Sequence, residues 1–261
     1  MHSKFAYLII STLLLLSCED VLELNPLDPD NNPDYVAPET VITFDDLDGS
    51  VLDTSAVTIT FSGNDLVIEY AYSLNGDDFS SWSKNTFVTL SYLDEGAYTF
   101  SVKGRYSSGE EDETPATISF TVDAVTGPAL MFYPRQHIAN TNYPVTFQLM
   151  AEEVDNLMLA AISVSFDDSL IEIQTVSEGS IFTGSGTTAF HYELTAGSLI
   201  IYAMLLGGDS PSVSGTGVLA EITVKSLGTT TLSLDGTQVF KTHEDIPISI
   251  QETVNGLVVV E

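Results

Sequence analysis

From residue 41 onward, apolar and polar residues alternate at period two. No segment sustains the i, i+3, i+4 spacing of an amphipathic helix. Short runs rich in Val, Ile, Thr, Tyr and Phe are separated by turn dipeptides such as Asp48-Gly49, Gly63-Asn64, Asn75-Gly76 and Ser108-Gly109. These runs predict strands at 41–44, 57–61, 66–74, 86–91, 98–105 and 117–122, and then at 129–133, 145–150, 158–166, 170–176, 190–194, 199–205, 219–224, 231–234, 239–241, 246–250 and 257–260. The fold class is therefore all-β. The most informative stretch is 156–176, NLMLAAISVSFDDSLIEIQTV. Met158, Ala160, Ile162, Val164 and Phe166 share one pleat face, which carries the bulk and is expected to point into a core. Leu157, Leu159, Ala161, Ser163 and Ser165 share the other, which is small and only partly polar. Residues 199–205, LIIYAML, are apolar on both faces. Taking the bulkier Ile200, Tyr202 and Met204 as inward leaves Leu199, Ile201, Ala203 and Leu205 facing out.

The first 38 residues break this pattern. Lys4 precedes an apolar run over 5–16, and twelve residues are too few to span a bilayer, which needs about 20. Residues 1–17 thus read as a signal peptide. The run ends Leu15-Leu16-Ser17-Cys18, and Cys18 is the only cysteine of the chain. This resembles a bacterial lipobox, which implies lipidation of Cys18 and a stable membrane anchor. The acidic pair Glu19-Asp20 after it resembles the surface-export signal of some Bacteroidetes-type lipoproteins. Residues 18–38 carry four prolines, Pro26, Pro29, Pro33 and Pro38, among Asp and Asn, as an extended tether would. Within them Asp28, Asp30, Asn32 and Glu39 have the spacing of positions 1, 3, 5 and 12 of a calcium loop. Pro33 stands where that loop needs a glycine with positive φ, so the segment reads as a solvated acidic linker.

Residues 39–123, with six or seven short strands at regular spacing, suggest an immunoglobulin- or fibronectin-type sandwich. The run Leu93-Asp94-Glu95-Gly96-Ala97-Tyr98 looks like a tyrosine corner. Together with Glu69-Tyr70-Ala71-Tyr72 and Trp82-Ser83, it resembles bacterial Ig-like domains, which implies a spacer or sensor part. Residues 123–128, DAVTGP, form a plausible boundary. Beyond it, 127–261 resembles the cohesin family. The resemblance rests on the apolar strand with its aromatic-Asp corner at Phe166-Asp167, on the glycine-led SGTGVLAEITVK at 214–225, and on Asn255-Gly256 before a last strand. It implies a jelly-roll sandwich of about nine strands that docks a protein module such as a dockerin. In that family the strand equivalent to 199–205 lies beside the one equivalent to 158–166, on the docking sheet. Leu157, Leu159, Ala161, Leu199, Ile201, Ala203 and Leu205 are accordingly expected to form one protein-binding patch. Cohesins of the enzyme-recruiting type carry Asn and Asp where this chain has Leu159 and Ala161. A more apolar, type II-like mode, or a different partner, follows. Asp167 matches the corner Asp that holds the turn.

Charge narrows the choice. With 37 acidic against 7 basic residues, the formal net charge is −30. That excludes ordinary nucleic-acid binding and disfavours electrostatic docking on anionic lipid. The acidity is compatible with structural Ca²⁺, but no pattern requires it, and no cofactor is expected. After the leader the histidines are His137, His191 and His243, without a metal-ligand spacing, and no Gly-x-Ser-x-Gly elbow occurs. Gly184-Ser185-Gly186 reads as a loop. The reading is a non-catalytic, lipid-anchored protein of the bacterial cell envelope, at the outer membrane and surface-exposed, that docks a protein module for scaffolding or adhesion. The alternative is a carbohydrate-binding lipoprotein that holds polysaccharide through Trp82 or through Tyr133, Tyr143, Tyr192 and Tyr202.

Overall fold

A computed structural model describes residues 25–261 except 29, 31, 45 and 208–210. Cys18 and the leader lie outside the described residues. None of the described residues is helical, and the strands number twenty. The first seven are β1 (Thr40–Ile42), β2 (Val51–Leu52), β3 (Val57–Gly63), β4 (Glu69–Leu74), β5 (Phe87–Leu90), β6 (Gly96–Arg105) and β7 (Ala116–Val122). They form a three-stranded sheet, β1-β3-β5, and a four-stranded sheet, β2-β7-β6-β4. Alternate residues of the two sheets meet in one core, with Ile59, Phe61, Tyr70, Phe100, Val102, Phe120 and Val122 buried. The tyrosine-corner bond is made: the Tyr98 hydroxyl donates to the carbonyl of Asp94 at 3.1 Å, and burial raises the phenol's pKa. Tyr98→Phe removes that bond alone. It is expected to lower stability by about 1 kcal/mol, read from the shift of the urea midpoint.

Thirteen strands follow. They are β8 (Ala129–Tyr133), β9 (Gln136–Ala139), β10 (Pro144–Leu157), β11 (Leu159–Ser165), β12 (Ile171–Glu178), β13 (Thr187–Thr195), β14 (Ser198–Leu206), β15 (Val213–Ser226), β16 (Thr230–Leu232), β17 (Val239–Lys241), β18 (Pro247–Ile248), β19 (Glu252–Val254) and β20 (Gly256–Val260). Two five-stranded sheets, β12-β15-β10-β8-β19 and β13-β14-β11-β17-β18, and a three-stranded sheet, β16-β20-β9, result. The core draws on both large sheets: Phe147, Leu149, Leu219, Ile222 and Val224 from one, and Ala160, Ile162, Val164, Leu199 and Ile201 from the other. This is a β-sandwich, as the period-two pattern requires. Gly256 sits where a Cβ would come within 3.0 Å of the rings of Phe132 and Phe147, so a side chain there would have to push those rings aside. Its neighbour Asn255 accepts the Leu234 N–H at 2.8 Å.

The long β10 corrects one sequence expectation. Its pairing with β15 shifts register between Ala151 and Val154 and again between Val154 and Leu157. Glu153 and Asn156 take positive φ at those places, and their N–H groups bond the side chains of Thr216 and Ser214. Each bulge resets the alternation. Val154 and Leu157 both turn inward, and Leu157 is fully buried. It closes β10 rather than opening the next strand.

Between the two sets of strands, the Arg135 N–H bonds the Asp94 carboxylate at 2.6 Å, and the Arg135 guanidinium pairs with Glu95. Glu95 also accepts the Ala124 N–H at 2.9 Å, and Glu252 accepts the Thr126 N–H at 3.1 Å. Val125, Ala129 and Met131 make a small apolar cluster beside these contacts. Burial pushes the Asp94 carboxyl pKa up, and the bond and charge of Arg135 oppose that.

Candidate docking face

The outer face of the sheet β13-β14-β11-β17-β18 follows from its register. Directly paired residues share a face. Across the sheet, Ala189, Met204, Leu159 and Lys241 form one row; His191, Tyr202, Ala161 and Val239 form the next; Glu193, Ile200 and Ser163 form a third. Leu159, Ala161, Ile200, Tyr202, Met204 and Val239 are half-buried and stand outside the hydrophobic core. The His191 ring stacks on Tyr202 with centroids 6.2 Å apart. Lys241 pairs with Asp245 at 2.6 Å on the rim.

The far end of the face is polar. The Gln238 side chain accepts the Ser163 N–H at 3.1 Å and donates to the Ser163 carbonyl at 3.0 Å, continuing the ladder where β17 ends. The Ser165 hydroxyl donates to Asp235 at 2.7 Å. At the corner beyond, Asp167 accepts the N–H and hydroxyl of Ser169 at 2.9 and 2.6 Å, and these bonds lower its carboxyl pKa. Its own carbonyl accepts the N–H groups of Leu170 and Ile171, which fixes the turn.

The expected patch is therefore rearranged. Leu159 and Ala161 lie on the outer face. Leu199, Ile201, Ala203 and Leu205 do not: all four are buried in the core, as is Leu157. The reason is register. Leu199, Ile201 and Ala203 pair with Val164, Ile162 and Ala160, which point inward, so the inward face of β14 is set by its neighbour and not by side-chain bulk. Ile200, Tyr202 and Met204 come outward instead. Pairing the inward face of 158–166 with 199–205 residue by residue would have found them from the sequence.

Other singled-out groups have local partners. Arg105 lies 4.4 Å over the Trp82 ring and Lys103 5.5 Å from it, so cations take a ring face that a sugar would stack on. Tyr133 belongs to the other large sheet, and Tyr192 and Tyr202 point to opposite faces of theirs. Tyr143 stands in the turn before β10, so the four tyrosines share no single face. His137 bonds the Thr146 carbonyl at 2.9 Å and meets Phe147 edge-on. Within the segment expected to be a tether, Asp28 accepts the Asp30 N–H at 3.0 Å and Asn32 accepts the Asp34 N–H at 3.1 Å, as Asx turns do. Among the described residues, no group of three or more His, Cys, Asp or Glu is placed to hold a metal ion.

About half of the chain is similar to solved cohesin domains. The sixth cohesin of scaffoldin B from Acetivibrio cellulolyticus, solved with a Cel5 dockerin variant, is 21% identical with a TM-score of 0.44, covering 52% of this chain and 100% of that one. A non-cellulosomal cohesin from the archaeon Archaeoglobus fulgidus is 16% identical with a TM-score of 0.43, covering 51% and 90%. A type II cohesin from the cellulosome of Acetivibrio cellulolyticus is 12% identical with a TM-score of 0.42, covering 50% and 94%. No protein-family model matches the chain, and no curated protein matches it in sequence.

Proposed function

We propose that this protein is a non-catalytic scaffold or adhesion lipoprotein whose 127–261 portion is a cohesin-like domain that docks a protein module of the dockerin kind. One observation carries the reading. Two adjacent interior strands of a five-stranded sheet, β14 and β11, present Ile200, Tyr202, Met204, Leu159 and Ala161 on their outer face, away from the core. Half-exposed apolar side chains bordered by His191, Glu193 and the Lys241–Asp245 pair have the composition of an interface centre with a polar rim. The cohesin-like motifs at 158–166, 214–225 and 255–260 support the same partner class. The apolar residues at 159 and 161 favour a partner that contributes apolar side chains rather than hydrogen-bonding ones.

In this reading Cys18 carries the lipid, residues 18–38 form the tether, and 39–123 is an Ig-like spacer that lifts the docking domain from the outer membrane. The Tyr98–Asp94 corner bond supports the Ig-like assignment. The test is binding of the full chain, immobilised, to a panel of dockerin modules and to insoluble polysaccharides. Saturable dockerin binding is the expected result. Retention on polysaccharide with no dockerin bound would overturn it.

A further inference from the structure

Among the described residues the sheets have ten edge strands, and nine are guarded. Eight are disposed of by shortness or by a local cover: β1, β2, β5, β9, β16, β18 and β19 run two to four residues, and β4 is capped by backbone bonds between Tyr70 and Ser83 and between Ser80 and Tyr72. The ninth, β12, carries Glu172 and Glu178 and a register break between Ile173 and Thr175. Short, charged, covered or bulged edges are how soluble sheets avoid pairing with other chains. The tenth, β13, is long and unbroken and has the least protection. Its nine residues, TTAFHYELT, pair with β14 without a register break, contain no Pro, Lys or Arg, and carry one carboxylate, Glu193.

The direction of its free backbone groups can be assigned. The Leu205 N–H donates to Met158, on the β11 side. Odd residues of β14 therefore turn toward β11 and even residues toward β13. Their partners on β13 are the odd residues, so Thr188, Phe190, Tyr192 and Leu194 aim N–H and C=O at the open edge. Among the described residues, no other backbone group meets them. On the same residues the side chains of Tyr192 and Leu194 are 41% and 46% exposed.

The geometry points to self-association: two copies of the chain join β13 to β13 in an antiparallel two-fold, making one continuous ten-stranded sheet. The sequence of β13 fits its own image. Full overlap of all nine residues places His191 opposite His191 of the second copy. That register pairs even residues with even ones, which is what the outward groups require. It sets Phe190 against Tyr192 twice and Thr188 against Leu194 twice, as favourable cross-strand pairs. Each Glu193 faces Ala189 rather than the other Glu193. The outer face of β14 and β11 stays open, so the inference does not depend on docking.

Sedimentation velocity on the full chain carrying Cys18→Ser tests it. The expected result is a monomer–dimer equilibrium in the micromolar range that tightens with added salt, because two chains of net charge −30 repel. Tyr192→Lys should weaken it by at least about tenfold, as a charge placed on the joining edge does. Register is read by cross-linking: in the same background His191→Cys should form an intermolecular disulfide, since directly opposed Cβ atoms lie about 4.5–5.5 Å apart. Glu193→Cys should not. A chain that stays monomeric at all concentrations and salts overturns the inference, as does equal cross-linking of the two cysteine variants.

Discussion

The double variant Leu159→Asp/Tyr202→Asp is expected to lose docking by at least about a hundredfold while remaining folded. Each side chain sits near the centre of the proposed interface, and removing a central anchor typically costs about 2 kcal/mol or more. Two such losses amount to roughly three decades in Kd if they add, so a hundredfold loss allows for shortfall. Both positions are half-exposed on the outer face, where a new carboxylate reaches water. The cost to the fold is strand propensity, about 1 kcal/mol per site at most. Titration against the dockerin module, with circular dichroism as the folding control, decides the matter. Wild-type affinity in a folded double variant would remove the β14–β11 face from consideration.

One residue earlier, Ile201→Asp should fail in the opposite assay. Ile201 is fully buried, paired with Ile162 on one side and Tyr192 on the other. A carboxylate there loses the transfer energy of the isoleucine and has no counter-charge, so a loss of about 4 kcal/mol or more is expected. Ile201→Val, which only trims a methyl group, should cost about 1 kcal/mol. Urea unfolding of the two variants reads both values. A mild Ile201→Asp, close to the valine variant, would mean that β14 presents its other face to the core. The neighbouring substitutions at 201 and 202 thus separate folding from binding within one strand.

Much of the fold is legible in the period of the sequence, because alternation over five or more residues survives tertiary packing. The stretch 158–166 illustrates this: Ala160, Ile162 and Val164 are buried, and Leu159, Ala161 and Ser163 face outward. Three kinds of feature were hidden. Strands of two to four residues, such as β2, β9 and β19, are too short for a period, and all three are held by parallel pairing. Bulges at Glu153 and Asn156 extend β10 past the point where alternation fails, which misassigned Leu157. And 199–205 is apolar on both faces, so its orientation is fixed only by its neighbour in the sheet. Of the expected patch, Leu159 and Ala161 face outward, but on β14 the outward residues are Ile200, Tyr202 and Met204 and not the four between and beside them.

β8 follows directly on residues 123–128 and enters the large sheet with a neighbour on each side. It is antiparallel to β10 from Gln148 to Glu152, and parallel to β19 from Glu252 to Val254. Tension applied to the chain at residue 128 acts along the axis of this strand. The hydrogen bonds on both flanks then carry the load together, in shear, instead of opening one after another like a zip. Pulled from residue 128, the fold should therefore open only when the bonds on both flanks of β8 give way together, which single-molecule pulling would read as one step.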